Sequence, residues 1–330
     1  MPVNAKHISE ISIENFRGFQ KLDLKGLQAV NLIVGQNNVG KTSLLEALAL
    51  AANPTLIADF AGKLRDSVGD VEHRFYRWLI RDGSTASSAT LHAKGEKLDN
   101  LLSLTKRESL RQLDEESLYN MARESVYSSP YFIAVSESPV RRMRVQMVST
   151  ARDSNDILVK RLGNALRKRE GEKIIHDVLK KIDPRISRVR VDPVDEGTIV
   201  SVDIGLSEMI PLPQAGQAVG RLVSIMSDLI GESPQICMID EIENGIHHTV
   251  LKDVWKGIAE ISSMLGVQVF ATTHSKECLE AAQEVFCTQD SANERDFAVI
   301  QLMRVNDQVV GKVLSESRVE AALENHIELR

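Results

Sequence analysis

The chain has 330 residues, 43% of them hydrophobic and 26% charged, which is enough to bury one large α/β core or two ordinary ones. A net charge of −6 and a pI near 5.8 argue against a protein that coats nucleic acid over its whole surface, though a local basic patch is still allowed. The three cysteines, Cys237, Cys278 and Cys287, are too few for a disulfide framework, and no apolar run approaches the roughly 18 residues needed to span a bilayer, so a cytoplasmic setting without membrane contact is expected.

In chain order, I-S-E-I-S-I-E-N-F at 8 to 16 alternates as a half-buried strand does. K-L-D-L at 21 to 24 and A-V-N-L-I-V at 29 to 34 read as two more strands, the last apolar enough to be central. A Gly-rich turn leads into a helix from Lys41 to Ala52, which Pro54 ends. Residues 55 to 130 are polar and mixed; helices are expected there, with a small hairpin near A-T-L-H-A, before a strand Y-F-I-A-V at 131 to 135. The pattern from 155 to 182 is helical with a break at Gly171, and R-I-S-R-V-R-V at 185 to 191 pairs with T-I-V-S-V-D-I at 198 to 204.

Helix and strand then alternate cleanly. A helix over 217 to 230 precedes a strand ending at Asp240; a helix near 247 to 265 precedes a strand at 267 to 272 and a short helix from Lys276. Two strands meet in a hairpin turn at Asn306-Asp307, and a last helix carries the chain to Arg330. The order predicts an α/β fold: a mostly parallel sheet with helices on both faces and an antiparallel β portion at the N-terminus.

Three segments carry chemistry. Gly35-Gln36-Asn37-Asn38-Val39-Gly40-Lys41-Thr42 fits G-x-x-x-x-G-K-[ST] between a strand and a helix, with Ser43 next. Glycines let consecutive N–H groups turn inward on phosphate oxygens, and the helix adds its positive end. In such a loop Lys41 bridges the β- and γ-phosphates of ATP and the Thr42 hydroxyl coordinates Mg²⁺. Q-I-C-M-I-D-E at 235 to 241 then brings two carboxylates out at the C-terminal end of a buried strand, where open α/β sheets place their sites. Asp240 suits the metal, directly or through water, and Glu241 suits a general base for the attacking water. After the next strand, Ala271-Thr272-Thr273-His274-Ser275 places a histidine that could donate to a γ-phosphate and report its presence.

These segments together resemble the ABC-type ATPase superfamily, and more nearly the AAA15/AAA21 group related to the ATPase half of OLD (overcoming lysogenization defect) proteins. The resemblance runs from I-S-I-E-N-F-R-G-F at 11 to 19, through the loop, I-D-E-I-E-N-G-I-H-H at 239 to 248 and Q-V-F-A-T-T-H-S-K-E-C-L-E-A at 268 to 281, to the tail A-A-L-E-N-H-I-E-L-R. It implies a P-loop NTPase of ABC-ATPase type. Residues 1–54 and 186–330 form a discontinuous core, and 55–185 hold inserted segments that include a helical lobe. It further implies nucleotide held between head-to-tail subunits, as a dimer or larger assembly, with a small-residue signature loop from the second subunit.

The matching place is Pro213-Gln214-Ala215-Gly216-Gln217-Ala218-Val219-Gly220-Arg221, which lacks the usual serine and has alanines where glycines are common. It reads either as a signature loop, with Gly216 approaching the partner's γ-phosphate, or as an ordinary helix start. Closure of the site, and with it the hydrolysis rate, hangs on that difference. A glutamine linking sheet to lobe is not clear, Gln146 being one candidate. His247 and His248 point about 100° apart on a helix, so they do not share a metal readily; they face either a dimer partner or solvent.

Between Lys160 and Arg190 eleven Lys and Arg stand against Glu170, Glu172, Asp177 and Asp183, a local positive field that nucleic acid or an acidic partner could use. The leading expectation is an ATP-binding, ATP-hydrolysing switch in phage defence or DNA maintenance, with a separately encoded effector such as a nuclease. A metal-dependent nuclease of OLD type is a rival, although the hairpin and helix after the ATPase core are not expected to accommodate a Toprim domain. A scaffold that binds ATP but scarcely hydrolyses it is the other.

Overall fold

The computed structural model describes residues 6–57, 79–81, 88–106, 125–128, 132–136, 140–148, 154–195, 197–286, 297–314, 318–319 and 321. Two six-stranded sheets dominate. The first is antiparallel, in the order β2-β1-β4-β5-β7-β6, formed by β1 (Glu10–Phe16), β2 (Phe19–Lys25), β4 (Ser88–Gly95), β5 (Leu98–Lys106), β6 (Ser125–Ser128) and β7 (Phe132–Ser136). The second runs β15-β14-β3-β13-β12-β8, with β3 (Val30–Val34), β8 (Val145–Val148), β12 (Ile236–Ile239), β13 (Gln268–Thr272) and β14 (Phe297–Val305) parallel, and β15 (Gln308–Leu314) antiparallel at the edge.

The central parallel strands β3, β12 and β13 are buried on both faces, which is why they read as largely apolar runs. Their period of two divides the core. Val30, Leu32, Val34, Cys237, Ile239, Val269 and Ala271 belong to one hydrophobic cluster, while Ile33, Ile236, Met238 and Phe270 belong to the other. The second cluster lies between the two sheets and encloses α1 (Lys41–Ala52). Leu44, Leu45 and every residue from Ala47 to Ala52 are buried, so beyond its first turn α1 is apolar on nearly every side, Glu46 excepted, as suits a helix between two sheets.

On the other face, the first cluster collects α2 (Asn155–Leu166), α3 (Arg169–Ile182), α4 (Gln217–Met226), α5 (Leu251–Leu265) and α6 (Lys276–Phe286). A small antiparallel sheet of β9 (Arg188–Val194), β10 (Gly197–Asp203) and β11 (Ile210–Pro211) joins them. A π-helical turn, Ser227–Gly231, ends α4 and buries Asp228 against the guanidinium of Arg161, 2.7 Å away.

Several expectations change. The small hairpin near A-T-L-H-A is the β4–β5 pair over 88–106, and residues 55–185 contribute four of the six antiparallel strands as well as β8 of the parallel sheet, beside the helices α2 and α3. Helices expected between 55 and 130 lie largely outside the described residues, as do Cys287 and most residues of the expected last helix. The break in the 155–182 helix falls at Arg167–Lys168, not at Gly171, which lies inside α3. A Cβ on Gly171 would stand 2.5 Å from the Ala165 carbonyl oxygen and 2.7 Å from Ile230, so this glycine permits close packing and does not interrupt the helix. The turn at Asn306-Asp307 holds, both residues having positive φ of 47° and 61°, as the tight turns of twisted hairpins require. Among the described residues no helix is long and apolar enough to cross a membrane.

Candidate functional site

The loop from Gly35 to Gly40 connects the buried end of β3 to the first turn of α1. Three residues bend it: Gly35 at φ +152°, Asn38 at +60° and Gly40 at +110°. Val39 is buried beneath the loop and anchors it, while Gln36, Asn37 and Asn38 face outward. No side chain caps α1 and no acid stands in its first turn, so the N–H groups at Lys41, Thr42 and Ser43 keep the bonding capacity and positive end that suit an anion. The Lys41 ammonium arches back over the loop, donating to the carbonyl oxygens of Gly35 at 2.8 Å and Gln36 at 3.0 Å. Burial pushes its pKa down, and the carboxylates of Glu243, Glu241 and Asp240 act against that shift, so all three acids are close enough for the ammonium to feel.

Asp240 closes the site from the tip of β12. Its backbone N–H donates to the Val148 carbonyl at the end of β8, and its carboxylate faces the Thr42 hydroxyl at 3.3 Å from Oδ1 and 3.2 Å from Oδ2. Mg²⁺ is octahedral with ligands near 2.0–2.1 Å, which sets neighbouring ligand oxygens about 3 Å apart. The Thr42 and Asp240 oxygens lie close to that spacing and pair a hard anion with a neutral hydroxyl, so they fit a magnesium ion carried by a triphosphate.

The next strand tip holds the acids in place. Thr272 donates to Asp240 Oδ1 at 2.6 Å and accepts from the Glu241 N–H at 2.8 Å. Glu241 itself sits at φ +46°, an uncommon conformation for a non-glycine residue. Glu243 accepts from the His274 N–H at 2.9 Å, and its Oε1 lies 3.1 Å from the ring Nδ1. The other oxygen of Glu243 is buried without a hydrogen-bond partner among the described residues, while the His274 side chain is about half exposed.

Asp240 and Glu241 thus join the predicted loop around Lys41, and His274 is tied to the group through Glu243. Gly216 stands apart. At φ +99° it starts α4 and lines a separate cleft of about 410 Å³ with Gln217, Arg221, Asn244 and Gly245. Arg221 connects the two places by donating to the Asp240 carbonyl at 2.7 Å. Gln146 is not at the loop: it lies inside β8 and donates to Asp228 at 3.2 Å, on the lobe side. His247 and His248 are exposed, their rings 4.2 Å apart.

Sequence reasoning missed Glu243 as the partner of His274, and it assigned nothing to Thr272, Arg221 or the Arg17–Glu46 pair, 2.7 Å apart beside the loop helix. Only Glu243 left a signal, as a third acid just beyond the strand. Arg17 partly offsets the burial that raises the Glu46 pKa, and the Asp240 charge adds to the rise. Cys237 and Cys278 are buried core residues, and burial pushes the Cys278 thiol up to about 12.

A glycine-bent loop between a buried parallel strand and an uncapped helix, facing an acid from a neighbouring strand tip, defines an α/β P-loop NTPase. The family model described as "AAA domain, putative AbiEii toxin, Type IV TA system" (AAA_21) matches residues 30–280, and the chain belongs to that family of P-loop ATPases. An ATP/GTP phosphatase of Helicobacter pylori is 21% identical over 350 residues, covering 87% of this chain and 90% of that protein. The DNA replication and repair protein RecF of Xanthomonas oryzae pv. oryzae is 38% identical over 92 residues, only 26% of this chain and 24% of RecF. Among solved structures, an SMC head bound to the C-terminal winged-helix domain of ScpA superposes with a TM-score of 0.59 at 12% identity, over 96% of this chain and 99% of the head. That likeness concerns the fold.

Proposed function

We propose that the protein is a nucleotide-driven switch that binds ATP with Mg²⁺ and hydrolyses it, closing head-to-tail with a second copy. The observation that carries this reading is the approach of Thr42 to both oxygens of Asp240, which brings a loop hydroxyl and a distant strand-tip acid to one place. The loop N–H groups and Lys41 bind the β- and γ-phosphates, the cation leaving the Gly35 and Gln36 carbonyls to do so. Thr42 and Asp240 hold the magnesium ion, whose charge offsets that of the phosphates. Glu241 orients and deprotonates the attacking water, and His274, steadied by Glu243, donates to the γ-phosphate. The name of the Helicobacter relative supports phosphate release from ATP or GTP.

In the closed pair, Gly216 and the start of α4 face the partner's γ-phosphate. The missing serine there favours slow turnover, so a scaffold that stays ATP-bound is the second reading. A link to OLD-type systems, with a role in phage defence or DNA maintenance beside a separate effector, extends the proposal from the family resemblance. Nucleic-acid contact through the basic 160–190 segment belongs to the same proposal. Within the basic run, Arg161, Lys181, Arg185 and Arg190 each pair with an acid, while Arg169, Lys173 and Arg188 line a cleft of about 360 Å³ beside His176 and Glu172.

The deciding experiment measures mass and phosphate release with ATP·Mg²⁺ and GTP·Mg²⁺ for wild type, Lys41→Ala and Glu241→Gln. Wild type is expected to turn over, Lys41→Ala to lose binding, and Glu241→Gln to bind, lose turnover by at least about 100-fold and accumulate as a dimer. Nucleotide-dependent dimers with wild-type turnover no faster than Glu241→Gln favour the scaffold. No nucleotide affinity in wild type, or turnover that survives Lys41→Ala, refutes the switch.

A further inference from the structure

The Thr272 side chain touches both acids assigned to chemistry, and nothing in its sequence context singles it out. It is fully buried at the C-terminal end of β13, beside β12, where Ile239 pairs with Ala271. A threonine hydroxyl has one proton to give and lone pairs to receive. Here the proton goes to Asp240 Oδ1 at 2.6 Å, and a lone pair takes the Glu241 N–H at 2.8 Å. The Thr272 carbonyl accepts from the Ile242 N–H at 3.1 Å, and the next N–H, of Thr273, donates to the Ile33 carbonyl in the strand that leads into the phosphate loop at 3.0 Å.

Two consequences follow from this geometry. The bond from Thr272 to Oδ1 fixes the orientation of the Asp240 carboxylate, which presents both oxygens to the Thr42 hydroxyl, Oδ1 at 3.3 Å and Oδ2 at 3.2 Å. Free rotation of that carboxylate would let it leave the loop for solvent, since Asp240 is only half-buried. The bond from the Glu241 N–H satisfies a donor at the residue whose backbone adopts φ +46°. Without that acceptor the left-handed turn loses the contact that opposes its intrinsic strain.

We infer that Thr272 is the positioning residue of this site: one hydroxyl aims the metal-binding carboxylate of Asp240 at Thr42 and holds the backbone of Glu241 in its left-handed turn. The inference rests on the nucleotide–metal reading given above for its functional meaning, but its geometric content stands alone. A buried threonine that only satisfied its own hydroxyl would leave metal affinity and the Asp240 rotamer untouched when replaced by its isostere.

The test compares the full chain with Thr272→Val and Thr272→Ser in two measurements. The first is Mn²⁺ affinity in the presence of ADP, read by electron paramagnetic resonance. Valine is expected to weaken it by about tenfold or more, the effect of losing a hydrogen bond to a charged group, and serine to stay within about threefold of wild type. The second is a crystal structure of each variant without metal. The valine protein is expected to show Asp240 turned away from Thr42 and Glu241 out of its positive-φ turn, and the serine protein to keep both. Valine binding Mn²⁺ within about threefold of wild type, or keeping both conformations, overturns the inference. Failure of wild type to bind any Mn²⁺ refutes the metal-site reading instead, and the two crystal structures then decide on Thr272 by themselves.

Discussion

Gly35→Ala tests the loop at its tightest point. A Cβ at this position would stand 2.6 Å from the Leu302 carbonyl oxygen and 2.9 Å from a Val39 methyl. Neither neighbour can yield cheaply. Leu302 belongs to β14, whose pairing with β3 extends to Gln301 and Val34, and Val39 is the buried anchor of the loop. Overpacking of this kind costs about 1–3 kcal/mol. The backbone at φ +152° adds a second cost for a side-chain-bearing residue, again about 1–3 kcal/mol. The sum is about 4 kcal/mol, a large share of the 5–15 kcal/mol that holds a typical domain.

Gly40→Ala is the control. Its φ of +110° is also strained, but the new Cβ would meet only the tip of the Phe19 ring at 3.2 Å, which can tilt away. A loss of about 2 kcal/mol is expected there. Urea denaturation of both variants, with fluorescent-nucleotide binding measured in parallel, reads the difference. Gly35→Ala unfolding within about 1 kcal/mol of wild type, or Gly40→Ala proving the more damaging, would refute this account of the loop.

Two other outcomes follow from charges. The folded pKa of Glu46 lies above its ordinary value of 4.5, so wild-type stability contributed by this group is present below pH 4.5 and lost as pH rises through the folded pKa. Glu46→Gln has no such titration, so wild-type stability measured relative to that variant should fall as pH is raised from 4.5 toward 7; a constant or rising difference in chemical denaturation would contradict it. If the cleft beside α3 receives nucleic acid, replacing Arg169, Lys173 and Arg188 together by Ala should weaken binding to a DNA or RNA duplex and flatten its salt dependence by about three phosphate contacts. An unchanged salt slope in fluorescence anisotropy would remove that cleft from the proposal.

Much of the fold was legible because its signals are local. A helix from about Lys41 to Ala52 was legible and is observed over Lys41–Ala52, since the Gly-rich turn before it and Pro54 after it are local signals. The apolar runs at 30–34, 236–239 and 268–272 announced central parallel strands, because burial on both faces removes the alternation that marks an exposed sheet. The antiparallel sheet was harder to read. Its strands β4 to β7 lie in polar, mixed sequence, and their pairing joins residues as far apart as Glu10 and Lys94. Gly171 misled for a related reason: as punctuation it suggests a helix break, and only the approach of Ala165 and Ile230 shows why a side chain is excluded there.

The sequence by itself determined the phosphate-type loop, the acids at the next strand tip and the histidine beyond, because each is a short run whose chemistry depends on residue types at fixed spacing. It could not say which side chains meet. Thr42 and Asp240 are 198 positions apart, and Thr272 touches Asp240 across 32. Those meetings were decided by strand order in the parallel sheet, which places β13 between β3 and β12 and sends Arg221 and Gln146 to places that no spacing rule would assign. Strand order depends on how the two hydrophobic clusters close around the sheet, a property of the whole folded chain and not of any segment.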